Sequence, residues 1–216
     1  MKKIFCSWSG GKDSAMALGR AINLGMKPEF LLTMMSEDSS HTRSHHIPID
    51  VLKKQAELAS IKLVYSESKW ETYEEKFLHL LKENKVDEGI LGVFGDIDLI
   101  EHKEWEDMIC GKAGTSAVLP LFNETRETLT KEFVNEKYEA VIIALDRRKL
   151  PEDFLGKKLS AEVFKELKKA GSDECGEFGE YHTIVTNTPY FSKPLDLEFG
   201  EILRNGDYSF LEIKLK

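Results

Sequence analysis

Cysteine is scarce in this chain: three residues in 216, Cys6, Cys110 and Cys175, with no C-x-x-C pair among them. Such spacing encodes neither a disulfide framework nor a zinc knuckle, and it suits a reducing, cytoplasmic setting. Long apolar runs are missing too. No stretch approaches the roughly 18 apolar residues that a membrane span requires, and the apolar run behind the first lysines stops at Ser9. Neither export nor membrane anchoring is expected. Positive charge is in deficit, with 30 Lys and Arg against 38 Asp and Glu and a net charge of −8. Gripping a nucleic-acid backbone takes clustered Lys and Arg. The densest basic spots, around Arg147, Arg148 and Lys149 and around Lys165, Lys168 and Lys169, have acidic neighbours and read as solvated faces. RNA is therefore not an expected partner.

A hydrophobic content of 41% is enough for a buried core, and its distribution alternates. Through the first two-thirds of the chain, strand-length apolar runs stand at Lys3 to Trp8, Phe30 to Met35, Leu63 to Tyr65, Gly89 to Phe94, Ala117 to Leu121 and Ala140 to Leu145. Helix-period segments separate them, marked by Ala15, Leu18 and Ile22, by Ile49, Leu52 and Ala56, by Tyr73, Phe77 and Leu80, by Leu99 to Cys110, and by Leu129 and Phe133. This is the pattern of an α/β fold, a parallel sheet with crossover helices. Gly25 stands where the first helix should end. The polar stretch S-E-D-S-S-H-T-R-S-H-H, closed by Pro48, predicts a loop. Beyond Arg147 the character changes. A helix over Ser160 to Ala170 leads to C-G-E-F-G-E-Y-H-T, then to two alternating segments, Leu195 to Leu203 and Tyr208 to Leu215, parted by Asn205-Gly206. That pair predicts a hairpin, so the chain should end in antiparallel strands.

Two stretches carry chemistry. S-G-G-K-D-S, Ser9 to Ser14, follows the first strand and opens the first helix. Glycines there let the backbone approach an anion, and the helix amino end supplies free N–H groups. The spacing is neither that of a Walker A loop nor G-x-G-x-x-G. An aspartate at such a place would repel a phosphate unless a cation lay between, so Asp13 suggests magnesium. The purely structural alternative is a tight turn with Asp13 or Ser14 capping the helix. In Cys175 to Thr183, two glutamates, Glu177 and Glu180, lie three apart with His182 close behind. Carboxylates beside an imidazole can bind a metal, orient an amine or move a proton.

S-G-G-K-D-S resembles the pyrophosphate-binding loop of the PP-loop ATP pyrophosphatases. C-G-E-F-G-E-Y-H-T resembles the signature of one branch, the diphthine-ammonia ligase (diphthamide synthase) family, with further echoes in G-V-F-G-D-I, L-P-L-F, F-L-G-K-K-L and T-P-Y-F. The resemblance implies a Rossmann-like adenine-nucleotide alpha-hydrolase (HUP) domain over residues 1–125. A smaller α+β substrate-binding domain would follow over 126–216. It implies ATP and Mg2+ as cofactors and an ATP-dependent ligase that adenylates a carboxylate and transfers ammonia, releasing AMP and pyrophosphate.

Ser9, Gly10, Gly11, Lys12, Asp13 and Ser14 would bind the phosphates, with Asp13 the magnesium ligand and the adenine near Met34 and Met35. Glu177, Glu180, His182 and Thr183 would belong to the substrate half, and Lys12, Asp13, Glu177, Glu180 and His182 would be catalytic. Asp96 would reach substrate from a strand end, whereas Asp98 reads as a helix-capping residue. The loop after the second strand carries H-T-R-S-H-H, where diphthamide-making members usually have Ser-Tyr-Met, and chains of this kind look like relatives found in bacteria. Arg43 is its candidate substrate clamp, while His41 and His45 read as loop histidines. The acid is accordingly diphthine on elongation factor two or a small metabolite acid. RNA thiolation and a non-catalytic nucleotide sensor are the alternatives, and a homodimer is left open.

Overall fold

The computed structural model describes residues 1–37, 41–42 and 45–216. Five parallel strands, β1 (Lys3–Ser7), β2 (Lys27–Met35), β3 (Lys62–Glu67), β4 (Ile90–Val93) and β5 (Ala117–Val118), lie in the order β3-β2-β1-β4-β5. The intervening helices are α1 (Lys12–Asn23), α2 (Ile49–Ala59), α3 (Tyr73–Glu83) and α4 (Ile100–Lys112). Strand alternation sends Ile4 and Cys6 into one apolar cluster with Leu18 and Leu52, and Phe5 into another with Phe30, Phe77 and Leu81. Both faces of β1 are therefore covered, which is why it reads as a continuous apolar run. Because β2 pairs on one side of β1 and β4 on the other, a crevice opens beyond the carboxyl ends of β1 and β4.

The second half contains α5 (Arg126–Asn135), β6 (Glu139–Asp146), a 3-10 turn at Glu152–Phe154, α6 (Ala161–Lys169), β7 (Tyr181–Asn187), β8 (Leu197–Asn205) and β9 (Tyr208–Leu215). Its four strands make a separate antiparallel sheet in the order β7-β6-β9-β8. The run Ala140 to Leu145, which continued the parallel series in sequence, belongs to this second sheet, where Ala144 pairs with both His182 and Phe210. Burial periodicity marks it as an interior strand but does not choose its neighbours. The apolar run Ala117 to Leu121 shortens to two paired residues ahead of Pro120, which has no N–H to donate.

The local stop signals act as expected. Gly25 takes φ 78° after α1, and Ser160 caps α6 by accepting from the Val163 N–H. In the terminal hairpin Asn205 pairs with Tyr208, so the two turn residues are Gly206, at φ 55°, and Asp207. Among the described residues no helix is long and apolar enough to cross a membrane.

The two sheets are not separately cored. One apolar cluster runs from Ile4 and Leu18 through Phe133, Ile142 and Leu145 to Ile213. The Tyr190 hydroxyl donates to the Ala15 carbonyl at 2.9 Å. At Gly19 a Cβ would lie 1.9 Å from the Tyr138 hydroxyl oxygen, so α1 meets the second half there with no room for a side chain. Gly19→Ala should lower the unfolding free energy by about 1–3 kcal/mol, the usual cost of overpacking, despite the gain in helix propensity. Adding Tyr138→Phe should recover part of it. Urea unfolding of the variants measures both, and an unchanged midpoint for Gly19→Ala would deny this contact.

Candidate active site

The amino end of α1 begins at Gly11 with no side-chain cap, so neither Asp13 nor Ser14 serves as the N-cap. The cap comes from elsewhere. Thr183, on β7, accepts the Lys12 N–H through its hydroxyl at 3.1 Å across 171 residues of sequence. The Gly10 carbonyl accepts the Val185 N–H at 2.9 Å. Ser9 Oγ accepts the Gly11 N–H at 3.2 Å and lies 3.1 Å from Ser14 Oγ. Gly10, at φ 82°, and Gly11 both need to lack a Cβ, which at Gly11 would come 2.7 Å from His45 Nε2. Gly95, after β4, approaches so closely that its Cβ would sit 2.8 Å from the Asp13 carbonyl carbon.

Around this turn opens a cleft of about 730 Å³, lined among others by Ser9, Lys12, Asp13, Ser14, His45, Asp96, Glu177, His182 and Thr183. The cation beside Asp13 is Lys12 itself: Nζ lies 2.7 Å from both carboxylate oxygens and also donates to the Cys175 carbonyl. Burial alone would lower the Lys12 pKa, but Asp13, Cys175 and Glu177 raise it above its ordinary value, so the ammonium persists. Its Nζ also lies 5.5 Å over the Tyr181 ring.

Gly176 and Gly179 take left-handed φ and fold C-G-E-F-G-E-Y-H-T back on itself. Its two glutamates diverge. Glu177 reaches across to the loop after β4 and accepts the Ile97 and Asp98 N–H groups at 2.8 and 3.3 Å. Burial pushes its carboxyl up to about 7, against the lowering effect of the Ile97 N–H. Glu180 turns inward, accepting the Phe178 N–H at 3.1 Å and the Asp173 N–H at 3.4 Å, and is absent from the cleft lining. His182 lies 4.6 Å from the His45 ring. Burial, then Lys12, brings His182 down to about 4, and burial holds His45 well below its usual value, so both imidazoles are neutral near pH 7.

Asp96 stands 2.6 Å from His102 Nδ1 at the cleft wall, whereas Asp98 is no helix cap and pairs with Arg126 at 2.9 Å. Of the two methionines ending β2, Met34 lines the apolar recess beside the cleft and Met35 is fully buried in the core. Adjacent strand residues face opposite ways, so only one can face a ligand. Arg43 lies outside the described residues. His45, read as a loop histidine, is a cleft residue, and His102, Glu106 and Trp105 join the wall without having been singled out. Their signal was the i, i+4 spacing of His102 and Glu106 on one helix, six residues beyond Asp96. As for metal, the described residues contain no group of three His, Cys, Asp or Glu able to hold an ion. Asp13 remains a single carboxylate beside a phosphate-type cradle, and that fits magnesium delivered with phosphates, which needs one or two protein carboxylates.

Residues 1–117 match the family model described as "Diphthamide synthase N-terminal domain" and residues 125–216 the one described as "Diphthamide synthase C-terminal domain". The chain belongs to the diphthamide synthase family. Within it, the chain is 25% identical over 231 residues to the Rattus norvegicus protein named diphthine–ammonia ligase, covering 95% of this chain and 86% of that one. It is 24% identical over 231 residues to the Schizosaccharomyces pombe protein of the same name, covering 95% of this chain but only 38% of the yeast protein. The chain thus spans well under half of that longer relative. A solved chain, titled as a predicted subunit of tRNA methyltransferase from Methanocaldococcus jannaschii, has a TM-score of 0.46 and 16% identity over 87% of this chain and 98% of its own. That likeness is too partial to carry function.

Thr183→Val removes the acceptor of a buried N–H and should cost about 1–3 kcal/mol, read as a lower midpoint in urea. The folded pKa of Glu177, about 7, exceeds the ordinary 4.5, so the protonated form favours folding; that contribution is complete below the unfolded value and is lost as pH rises through 7. Wild-type stability should therefore fall more than that of Glu177→Gln between about pH 5 and pH 8. Parallel slopes in urea titrations would contradict the assignment.

Proposed function

We propose that this chain is an ATP-dependent amide-forming ligase that adenylates a carboxylate and transfers ammonia to it. The observation that supports this best is the glycine turn at α1, uncapped by its own side chains and completed by the family's C-terminal signature strand. Backbone N–H groups at a helix amino end favour anionic oxygens, and the Lys12 ammonium, paired with Asp13, lies beside them.

In this reading the triphosphate lies along Ser9 to Ser14, with the base against Met34. Asp13 would hold magnesium brought by the phosphates, which would neutralise charge on the departing group. The acid's oxygen attacks the α-phosphorus. An O–P bond forms, the α,β-bridging P–O bond breaks, and pyrophosphate leaves with the electron pair. Ammonia then attacks the acyl carbon, AMP departs, and the nitrogen gives up a proton. Neutral His45 and His182 can accept a hydrogen bond from the amine without repelling it. Lys12 stabilises the leaving charge by position rather than by proton transfer. Glu177 draws the signature loop onto Ile97 and Asp98, and so closes the wall that keeps water from the adenylate. The carboxylate is diphthine, as the names of the relatives suggest, or a smaller acid.

RNA thiolation would need a reactive thiolate. All three cysteines are buried, and burial pushes Cys175 up to about 12, which disfavours that route. Acid-dependent exchange of labelled pyrophosphate into ATP tests the proposal. Wild type should exchange with a cognate acid, Lys12→Met should lose about 100-fold or more, and Cys175→Ser should retain activity. ATP binding without exchange for any acid would make the chain a nucleotide-binding sensor instead.

A further inference from the structure

α5 starts with Arg126, directly after its Thr125 cap, and a cation there gains nothing from the helix, whose amino end favours negative charge. The side chain is nonetheless held inward, only 16% exposed. Its Nε lies 2.6 Å from Asp173 and its Nη1 2.9 Å from Asp98, so one guanidinium joins the loop after β4 to the segment that opens the signature stretch. Burial alone would lower the Arg126 pKa, but the two carboxylates raise it above its ordinary value. A part-buried, charge-assisted pair of this kind holds geometry better than an exposed one. Neither Arg126 nor Asp173 lines the cleft.

Both arms of this ion pair end in the site. Asp98 lends its backbone N–H to Glu177, next to that of Ile97. Asp173 leads further: while its Oδ2 faces Arg126, its Oδ1 accepts the Cys175 N–H at 2.7 Å. The carbonyl of the same Cys175 accepts from the Lys12 ammonium. Three successive contacts thus run from α5 to Lys12, through one carboxylate and one backbone residue. Lys12 Nζ has two hydrogen-bonding anchors, Asp13 and Cys175. Asp13 belongs to the same turn of helix, so the Cys175 carbonyl is the anchor that fixes the ammonium against the second half.

We propose that Arg126 is a positioning residue for the cleft: through Asp173 and the Cys175 backbone it fixes where the Lys12 ammonium stands. The Asp98 arm steadies the wall that Glu177 closes, and only the Asp173 arm reaches Lys12. The use made of Lys12 rests on the ligase reading, but the strut itself needs no turnover.

A double-mutant cycle tests this, because a relay through Lys12 loses its effect once Lys12 is gone. Arg126→Met keeps an apolar stem and removes both arms. In calorimetric titrations of the full chain with ATP and magnesium, it should weaken binding about tenfold, but less than about twofold when Lys12 is already replaced by Lys12→Met. Asp98→Asn, which cuts only the other arm, should show no such coupling to Lys12. Equal losses from Arg126→Met in the two backgrounds would overturn the assignment, since a merely structural ion pair acts on both alike. Coupling of Asp98→Asn as strong as that of Arg126→Met would overturn it too. The unliganded chain gives a second readout. Arg126→Met should speed hydrogen exchange of the Cys175 amide about tenfold while the Val185 amide, which donates to Gly10, stays protected. Cys175 exchange that is unchanged, or that rises only together with that of Val185, would equally contradict the strut. A wild-type chain that binds no ATP would contradict the ligase reading, and the exchange measurement then judges the strut by itself.

Discussion

The amino end of α1 leaves backbone donors and acceptors that its own sequence does not satisfy, and the architecture around the cleft follows from where their partners come from. β7 provides them, through Thr183 to the Lys12 N–H and through Val185 to the Gly10 carbonyl. Gln55, fully buried on α2, joins the same knot: its amide donates to the Gly10 and Val185 carbonyls and accepts from the Trp8 indole. The glycine turn, the end of β1, α2 and β7 therefore hold one another in place. The second sheet is not an appended module but the missing wall of the first. A polar network of this kind specifies geometry only when every member is matched, which Gln55 is.

Charge in the cleft is arranged by the same contacts. Lys12 is kept ionised by Asp13 and anchored on the Cys175 carbonyl, while His45 and His182 are kept neutral by burial and by Lys12. Glu177 titrates near neutrality because burial works against the two backbone N–H groups that it accepts. One permanent cation, two neutral acceptors and a carboxyl poised to change state make a site suited to a polyanionic leaving group and an incoming amine. On a chain of net charge −8, that local cation is what makes phosphate binding credible.

Much of this was legible in sequence, and the failures have physical causes. Periodicity located nearly every element, because burial imposes period two on strands and 3.6 on helices. It could not assign Ala140 to Leu145 to the second sheet, since strand pairing is set by long-range packing. S-G-G-K-D-S was readable as a turn at a helix start, but its cap was not, because Thr183 lies so far along the chain. That the Lys12 ammonium turns back onto the Asp13 carboxylate was not legible from their adjacency alone. Glu177 and Glu180 look alike in sequence and part ways only because Gly176 and Gly179 bend the loop, leaving one carboxylate on its own backbone. Asp98 has its partner in Arg126, on another helix. His45, His102 and Glu106 gain meaning only once strand ends bring separate segments to one wall.

If the ligase proposal holds, the phosphates of ATP sit in the turn from Ser9 to Ser14 that β7 closes. A crystal structure with a non-hydrolysable ATP analogue and magnesium tests it most directly. Phosphate oxygens are expected at hydrogen-bonding distance from the Ser9 to Ser14 turn, with Lys12 beside them and the base against Met34. Phosphates lying outside that turn would contradict it.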